Sequence, residues 1–338
     1  MITHRNESRG AAYFIIGDNM TVYKDMRKEL LKANNMPIID SIDEFAEELL
    51  ISHDLLRRIS MYSYAYYKEF YIRKKGKNAG IRLIVAPKYT LKAIQAWILR
   101  NILEQIQLHD SAMAYRRGAG YGIKSNALVH RDSEYIMKVD FSDFFSSIKR
   151  NKVFYLFNDL GYSMDISNLF ANICTYRGYL PQGAVTSPYI SNLLLRDFDE
   201  ALTQYCLNRE ISYSRYSDDI VLSCNRRSPL EEAETFVRGL SRDYSFTRIN
   251  PSKSFKIYGN DSAKLVTGLL INNDDLRVPR KYRRRLRSQI FYDIVKGEGS
   301  LSQETRGKLA YVKDMDPKSY GILEAYIESL YSLAKEDI

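Results

Sequence analysis

Two carboxylates stand side by side at Asp218 and Asp219, in the middle of residues 211–224, ISYSRYSDDIVLSC. Apolar and β-branched residues run up to them and resume at once afterwards, so the stretch is expected to form two short antiparallel strands joined by a tight turn that carries the acids. A turn built only to reverse the chain would favour Asn-Gly or Asp-Gly, because adjacent aspartates repel. The pair becomes favourable when a hard divalent cation lies between the carboxylates, and Mg²⁺ takes one or two of them together with substrate phosphate oxygens. An isolated Asp-Asp is more often a solvated turn, and a third carboxylate decides against that reading here. Residues 134–145, EYIMKVDFSDFF, read as an apolar strand through Tyr135, Ile136, Met137 and Val139 that ends on Asp140 and then switches to short helical spacing. An aspartate at one strand end and a pair at the tip of a neighbouring hairpin can converge on two metal ions about 4 Å apart, the arrangement that transfers phosphoryl groups in line. Asp140, Asp218 and Asp219 are therefore the candidate catalytic and metal-binding residues.

These stretches resemble those of bacterial retron reverse transcriptases, and the resemblance extends over roughly residues 66–330. Tyr216-Ser217-Asp218-Asp219 is similar to the family's Tyr-x-Asp-Asp box, whose second residue is usually alanine; serine is a small, compatible replacement. VDFSDFF resembles the box that supplies the first metal ligand, and Leu180–Pro188, LPQGAVTSP, the box that supports the incoming nucleotide and template. Asn126-Ala127-Leu128-Val129-His130 looks like the retron N-A-x-x-H element and Val266-Thr267-Gly268 like its V-T-G element. Each is a weak signal alone; their order and separations together are a strong one.

The resemblance implies an α+β protein with a right-hand polymerase fold: fingers, a palm of antiparallel sheet backed by helices, and a small helical thumb. It implies two Mg²⁺ ions per active site, held by Asp140, Asp218, Asp219 and the backbone carbonyl of Phe141. Arg82, with Lys77 as helper, and Lys253 would face the triphosphate, and Gln182 would be the polar contact of the LPQG turn. Phe145, five positions after Asp140, falls where such polymerases crowd the sugar 2′ position. A ribose hydroxyl there would lose its water against an aromatic ring. Asn126 and His130 are expected to shape the RNA path, and Val266, Thr267 and Gly268 to grip nucleic acid, the glycine leaving the backbone open to it.

Elements inferred from pattern support this plan. Residues 1–60 read as a helical extension, with Ser41 and Glu44 at capping-box spacing before an apolar stripe. Residues 61–132 are assigned to fingers, where Tyr66–Arg73 and Ile81–Ala86 alternate as strands around a basic, glycine-bracketed loop. Residues 133–273 are assigned to the palm, with some fingers helices inserted near 150–185; Lys152–Leu160 and Asp165–Cys174 read as helices, and Ile190–Leu207 as one long helix. Residues 274–338 are assigned to the thumb. There Pro279 starts a helix bearing Arg280, Lys281, Arg283, Arg284, Arg285 and Arg287, a density beyond what solubility needs and suited to neutralising phosphates. Arg280, Lys281, Arg284, Arg285 and Arg287 are its candidate nucleic-acid contacts. Tyr115–Gly122, YRRGAGYG, reads as a loop able to approach a template backbone, with no P-loop or dinucleotide fingerprint.

Composition narrows the partners. The 338 residues are 45% hydrophobic, enough for sizeable cores, and a formal net charge of +9 points to a polyanion. Three cysteines without C-x-x-C spacing exclude a disulfide framework or zinc site and suit a reducing cytoplasm. With no apolar run approaching the length that spans a bilayer and no basic-then-apolar leader, neither a membrane span nor a cleaved signal is expected. The expected function is that of a retron RNA-directed DNA polymerase. It would copy part of a cognate structured non-coding RNA into DNA from an internal guanosine 2′-hydroxyl, giving a branched RNA-linked product, alongside a separate effector protein in antiphage defence. The alternatives are a group II intron-type reverse transcriptase, disfavoured because the chain stops soon after the thumb, and an inactive RNA-binding scaffold, disfavoured by three intact carboxylates.

Overall fold

The computed structural model describes residues 19–73, 80–118, 120–259, 261–272 and 275–336. Helices α1 (Asn19–Ala33), α2 (Ile42–Glu48) and α3 (His53–Met61) precede the strands β1 (Tyr67–Arg73) and β2 (Ile81–Pro87). Helices α4 (Tyr89–Asn101) and α5 (Ile123–Leu128) lead to β3 (Tyr135–Asp140) and the single turn α6 (Phe144–Ser147). Four helices follow: α7 (Arg150–Asp159), α8 (Met164–Cys174), α9 (Ser187–Leu194) and α10 (Arg196–Leu207). The hairpin β4 (Ser212–Tyr216) and β5 (Asp219–Cys224) comes next, then α11 (Ser228–Asp243) and β6 (Lys256–Tyr258). Strands β7 (Lys264–Val266), β8 (Leu269–Asn272) and β9 (Asp275–Arg277) run into α12 (Arg280–Phe291), α13 (Gln303–Met315) and α14 (Pro317–Glu336). The described residues pack as two compact units, one drawn from 1–107 and 145–194 and the other from 108–144 and 195–338.

In the first unit, Ser41 caps α2 as its spacing predicts: its Oγ accepts from the Glu44 amide at 3.1 Å, and the Glu44 carboxylate accepts from the Asp40 amide at 2.7 Å. The core is aromatic. Phe45 meets Trp97 and Phe170 edge-on at 5.1 Å, and Tyr162 meets Phe170 in the same way. Ring quadrupoles favour that arrangement. Buried Gln95 is admitted because its Nε2 donates to the Tyr67 hydroxyl at 2.7 Å and to the Ile173 carbonyl at 2.8 Å, as a polar group in a core requires. Helices α7 and α8, in the stretch near 150–185 where inserted fingers helices are expected, pack in this unit, with Phe157, Ile166 and Phe170 completing its core.

In the second unit a four-stranded antiparallel sheet runs in the order β4-β5-β3-β6. Registers Asp140↔Asp219, Lys138↔Val221 and Ser214↔Val221 put Asp140, Asp219, Val221, Ser223, Ser214 and Ile136 on one face. Tyr213, Arg215, Ile220 and Leu222 take the other face, where α10 and α11 pack. Ile136 and Val221 join a core with Ala127, Val266, Leu269, Val278, Leu286, Ile290 and Val312 that also holds α12 to α14. Residues 108–132, expected in the fingers, belong to this unit. The single helix expected over 190–207 is broken at Leu195, where the chain leaves one unit for the other. KLVTGLLI is two strands, with Thr267 (φ 45°) and Gly268 (φ 86°) forming a two-residue turn. Two positive angles in succession are the mark of type I′.

Candidate active site

The sheet register brings the three aspartates together. Asp140 ends β3 directly opposite Asp219, the first residue of β5, and Asp218 lies in the two-residue turn between β4 and β5. The backbone reinforces this: the Phe141 amide donates to the Asp218 carbonyl at 3.1 Å, and the Ser254 hydroxyl accepts from the Asp140 amide at 3.0 Å. Crowding of the Asp219 carboxyl by surrounding protein, then the negative charges of Asp218 and Asp140, push its pKa up to about 6. Asp218 is also raised, chiefly by burial, with hydrogen bonds from its own amide and Ser217 acting in the other direction. Lys253 Nζ donates to both Asp140 oxygens, at 3.1 and 3.0 Å.

Among the described residues no three His, Cys, Asp or Glu side chains form a ready-made metal cage. The donor chemistry nevertheless fits hard cations. Three neighbouring carboxylates, two of them raised by burial and by their neighbours' charge, lie beside the ammonium of Lys253, and divalent ions would relieve the remaining repulsion. Phe141, whose carbonyl is the fourth candidate ligand, anchors this stretch by burying its ring against Phe144 and Phe198.

Behind the hairpin lies a buried polar network. Asn126 and His130 are wholly buried in it, so any part they take in shaping the RNA path runs through the residues they hold and not through direct contact. The Ser214 hydroxyl donates to Asn126 Oδ1 at 2.8 Å and hence accepts from His130 Nε2–H at 2.7 Å. Because a neutral imidazole carries one proton, Nδ1 is left to accept from the Ser223 hydroxyl at 2.7 Å. The ring thus bridges β4 and β5 as a neutral group, its pKa driven down to about 3 by burial. Val266 is likewise buried, and the Thr267 hydroxyl donates to the Ile123 carbonyl at 3.0 Å, tying the V-T-G turn to the start of α5. Gly268 has open space where a Cβ would be, consistent with an approachable backbone.

The remaining site residues divide between the units. Arg82, Phe145 and Gln182 belong to the first, and Lys77 lies outside the described residues. Exposed Arg82 shares a face of β2 with Ile84. Gly183 is required for packing: at φ 130° its added Cβ would lie 2.9 Å from Ile84 Cγ2 and from the Val85 carbonyl oxygen, while the Gln182 carbonyl accepts from the Val85 amide at 2.9 Å. In the second unit Arg280, Lys281, Arg284 and Arg285 line an open concave surface with Ser288, whereas Arg287 stacks over the Tyr326 ring at 4.0 Å. Two residues that sequence reading passed over also belong to the site: Arg215 and Asp199, a fully buried ion pair beneath the turn. A single arginine in the otherwise uncharged run Ile211–Ser217 that leads to the aspartates was the available signal.

Comparison with known proteins accords with this geometry. Residues 72–275 match the family model described as reverse transcriptase (RNA-dependent DNA polymerase). The retron Ec86 reverse transcriptase of Escherichia coli is 32% identical over 300 residues, covering 89% of this chain and 92% of that protein. The chain belongs to the retron reverse transcriptases. The retron Mx162 enzyme of Myxococcus xanthus is 29% identical, covering 91% of this chain and 70% of its own, and the retron Ec83 enzyme of Escherichia coli is 32% identical, covering 78% and 89%. This retron reverse transcriptase is accordingly an RNA-directed DNA polymerase of the right-hand fold, with an RNA template, nucleotide substrates and a requirement for divalent metal. Among its described residues no helix is long and apolar enough to cross a membrane.

Proposed function

We propose that this retron reverse transcriptase copies part of a cognate structured RNA into single-stranded DNA, starting from an internal guanosine 2′-hydroxyl, so that the product stays branched onto RNA. The observation that carries the catalytic reading is the register Asp140↔Asp219 with Asp218 in the adjoining turn. Asp140, Asp218, Asp219 and the Phe141 carbonyl would hold two Mg²⁺ ions, which supply Lewis acidity to the attacking hydroxyl and to the departing pyrophosphate. The chain's own groups orient the reactants. Lys253, long, exposed and paired with Asp140, would leave that carboxylate and neutralise or protonate pyrophosphate. Arg82, Lys77 and Gln182 receive the nucleotide, and Phe145 excludes the ribose hydroxyl. Arg280, Lys281, Arg284 and Arg285 hold the phosphates of the duplex, with Thr267 and Gly268 beside the primer end. Fingers would correspond to the first unit, and palm with thumb to the second.

Family resemblance further supports a cytoplasmic enzyme working with a separate effector in antiphage defence. The test is expression of the chain with about a kilobase of native flanking DNA, beside an Asp218→Ala, Asp219→Ala double variant. A short DNA that shifts in size on ribonuclease treatment, present only with the unaltered chain, is expected. Extension of a supplied primer on RNA without that product would remove the branched-priming proposal, and extension by the double variant would remove the catalytic assignment. Phage plating on cells carrying the same locus, with and without the double substitution, checks the defence role.

A further inference from the structure

Ser217 occupies a backbone conformation that a serine resists. It is the first residue of the two-residue turn, at φ 63°, while Asp218 after it keeps the ordinary sign. That is the pattern of a type II′ turn, whose first position favours glycine. Such strain persists only where the surroundings over-determine it. Two groups do so from behind the turn. Arg215 Nη1 donates to the Ser217 carbonyl at 2.9 Å, and the Tyr115 hydroxyl donates to Ser217 Oγ at 3.1 Å. The Ser217 hydroxyl is in turn hydrogen-bonded to the Asp218 carboxylate.

Arg215 is itself fixed. Its Nε donates to Asp199 Oδ1 at 2.8 Å and its Nη2 to Oδ2 at 2.5 Å, while the Tyr213 hydroxyl also donates to Oδ1 at 2.6 Å. Both charged side chains have no solvent exposure. A buried ion pair is weak as a source of stability, since an apolar pair of the same shape often serves as well. It is strong as a source of geometry, because a planar guanidinium bound bidentately through Nε and Nη2 has its Nη1 aimed in one direction. That direction is the strained turn. Backbone bonds from Arg215 N to the Ser111 carbonyl at 2.7 Å and from Met113 N to the Arg215 carbonyl at 2.8 Å fasten the same residue to the segment that presents Tyr115.

We propose that Asp199, Arg215 and Tyr115 are positioning residues for polymerisation: Asp199 aims Arg215, Arg215 and Tyr115 hold Ser217, and the held turn presents Asp218 and Asp219 in metal-binding geometry. This rests on the reading of that pair as catalytic. The three act through the turn and touch no reactant.

The test uses the full chain on an RNA template with a DNA primer, reading kcat, KM for deoxynucleotide, half-saturating Mg²⁺ and melting temperature. Tyr115→Phe removes one hydroxyl from a partly exposed ring, and it is expected to lower kcat by about 2–10-fold, the range of one neutral hydrogen bond. It should also raise half-saturating Mg²⁺, with KM and melting temperature little changed. Ser217→Ala should behave alike, and the Tyr115→Phe, Ser217→Ala double variant should be no worse than either single one, because both break one chain of contacts. Asp199→Asn should lower kcat by about 10–100-fold, as for a charged hydrogen bond, and Asp199→Glu should restore part of it. Additive effects in the double variant, or unchanged kcat and Mg²⁺ dependence in Tyr115→Phe, would overturn the proposal. If Asp199→Asn does not fold, the Tyr115–Ser217 cycle decides alone. Asp218→Asn separates the two levels: its inactivity beside a fully active Tyr115→Phe removes only the brace, whereas its full activity removes the catalytic reading.

Discussion

His130 makes the second unit sensitive to acid. Its imidazole is neutral and buried between Ser214 and Ser223, with a pKa of about 3 against an ordinary value of 6.5. Above pH 6.5 folded and unfolded chains carry the same charge at this residue, so it contributes no pH dependence. Below that the unfolded chain takes up a proton that the folded one refuses, and stability falls as pH drops, until about pH 3. At roughly 1.4 kcal/mol per pH unit the loss is about 2 kcal/mol at pH 5 and about 5 kcal/mol by pH 3. The perturbation is His130→Gln, which cannot titrate. At pH 7 it should be less stable by about 1–3 kcal/mol, the cost of leaving a buried serine without its partner. Between pH 7 and 5 that deficit should shrink by about 2 kcal/mol, since only the unaltered chain loses the histidine contribution. The assay is urea unfolding followed by far-UV circular dichroism, with the fluorescence of Trp97 read separately because that ring sits in the first unit and reports on it. Parallel stability curves for the two proteins over this pH range would refute the reasoning.

Other expectations follow from the same geometry. Because Asp219 holds its proton up to about pH 6, half-saturating Mg²⁺ should rise by about tenfold per pH unit below that value and level off above it; calorimetric Mg²⁺ titration at pH 5, 6 and 7 checks this. Gly183→Ala places a methyl against the backbone of β2 at a positive φ. A melting-temperature drop equivalent to about 1–3 kcal/mol and a raised KM for deoxynucleotide are expected, and unchanged values would mean the LPQG turn does not depend on that contact. Arg284→Ala and Arg285→Ala should each reduce the slope of log affinity for primer–template against log salt by about 0.7–0.9, as counterion release requires, and an unaltered slope would remove either residue from the interface. Phe145→Ala should raise ribonucleotide incorporation in primer extension, and unchanged sugar discrimination would dismiss it as the gate.

The chemistry was legible in the sequence because local patterning encodes it. Period-two apolar runs ending on Asp140 and flanking Asp218-Asp219 are short-range signals, and the strands form where those runs lie. The capped start of α2, the β1–β2 hairpin and the basic helix after Pro279 are legible for the same reason: caps, turns and amphipathic stripes involve residues within a few positions of each other. Tertiary structure alone decided which residues face which. The N-A-x-x-H histidine is a helical residue without a visible partner until the fold sets Ser214 and Ser223, 84 and 93 positions away, against its two nitrogens. Gly183 has no visible neighbour in the sequence until β2 fills the space beside it, and α7 and α8 are bare helical patterns until their aromatic faces close the first unit's core. Arg215 could be dismissed as an interruption in a strand until Asp199 appears beneath it. Sequence spacing determines the rotation of a side chain about its own strand or helix, and hence the kind of chemistry on offer; which partner meets it depends on long-range packing, which no local pattern records.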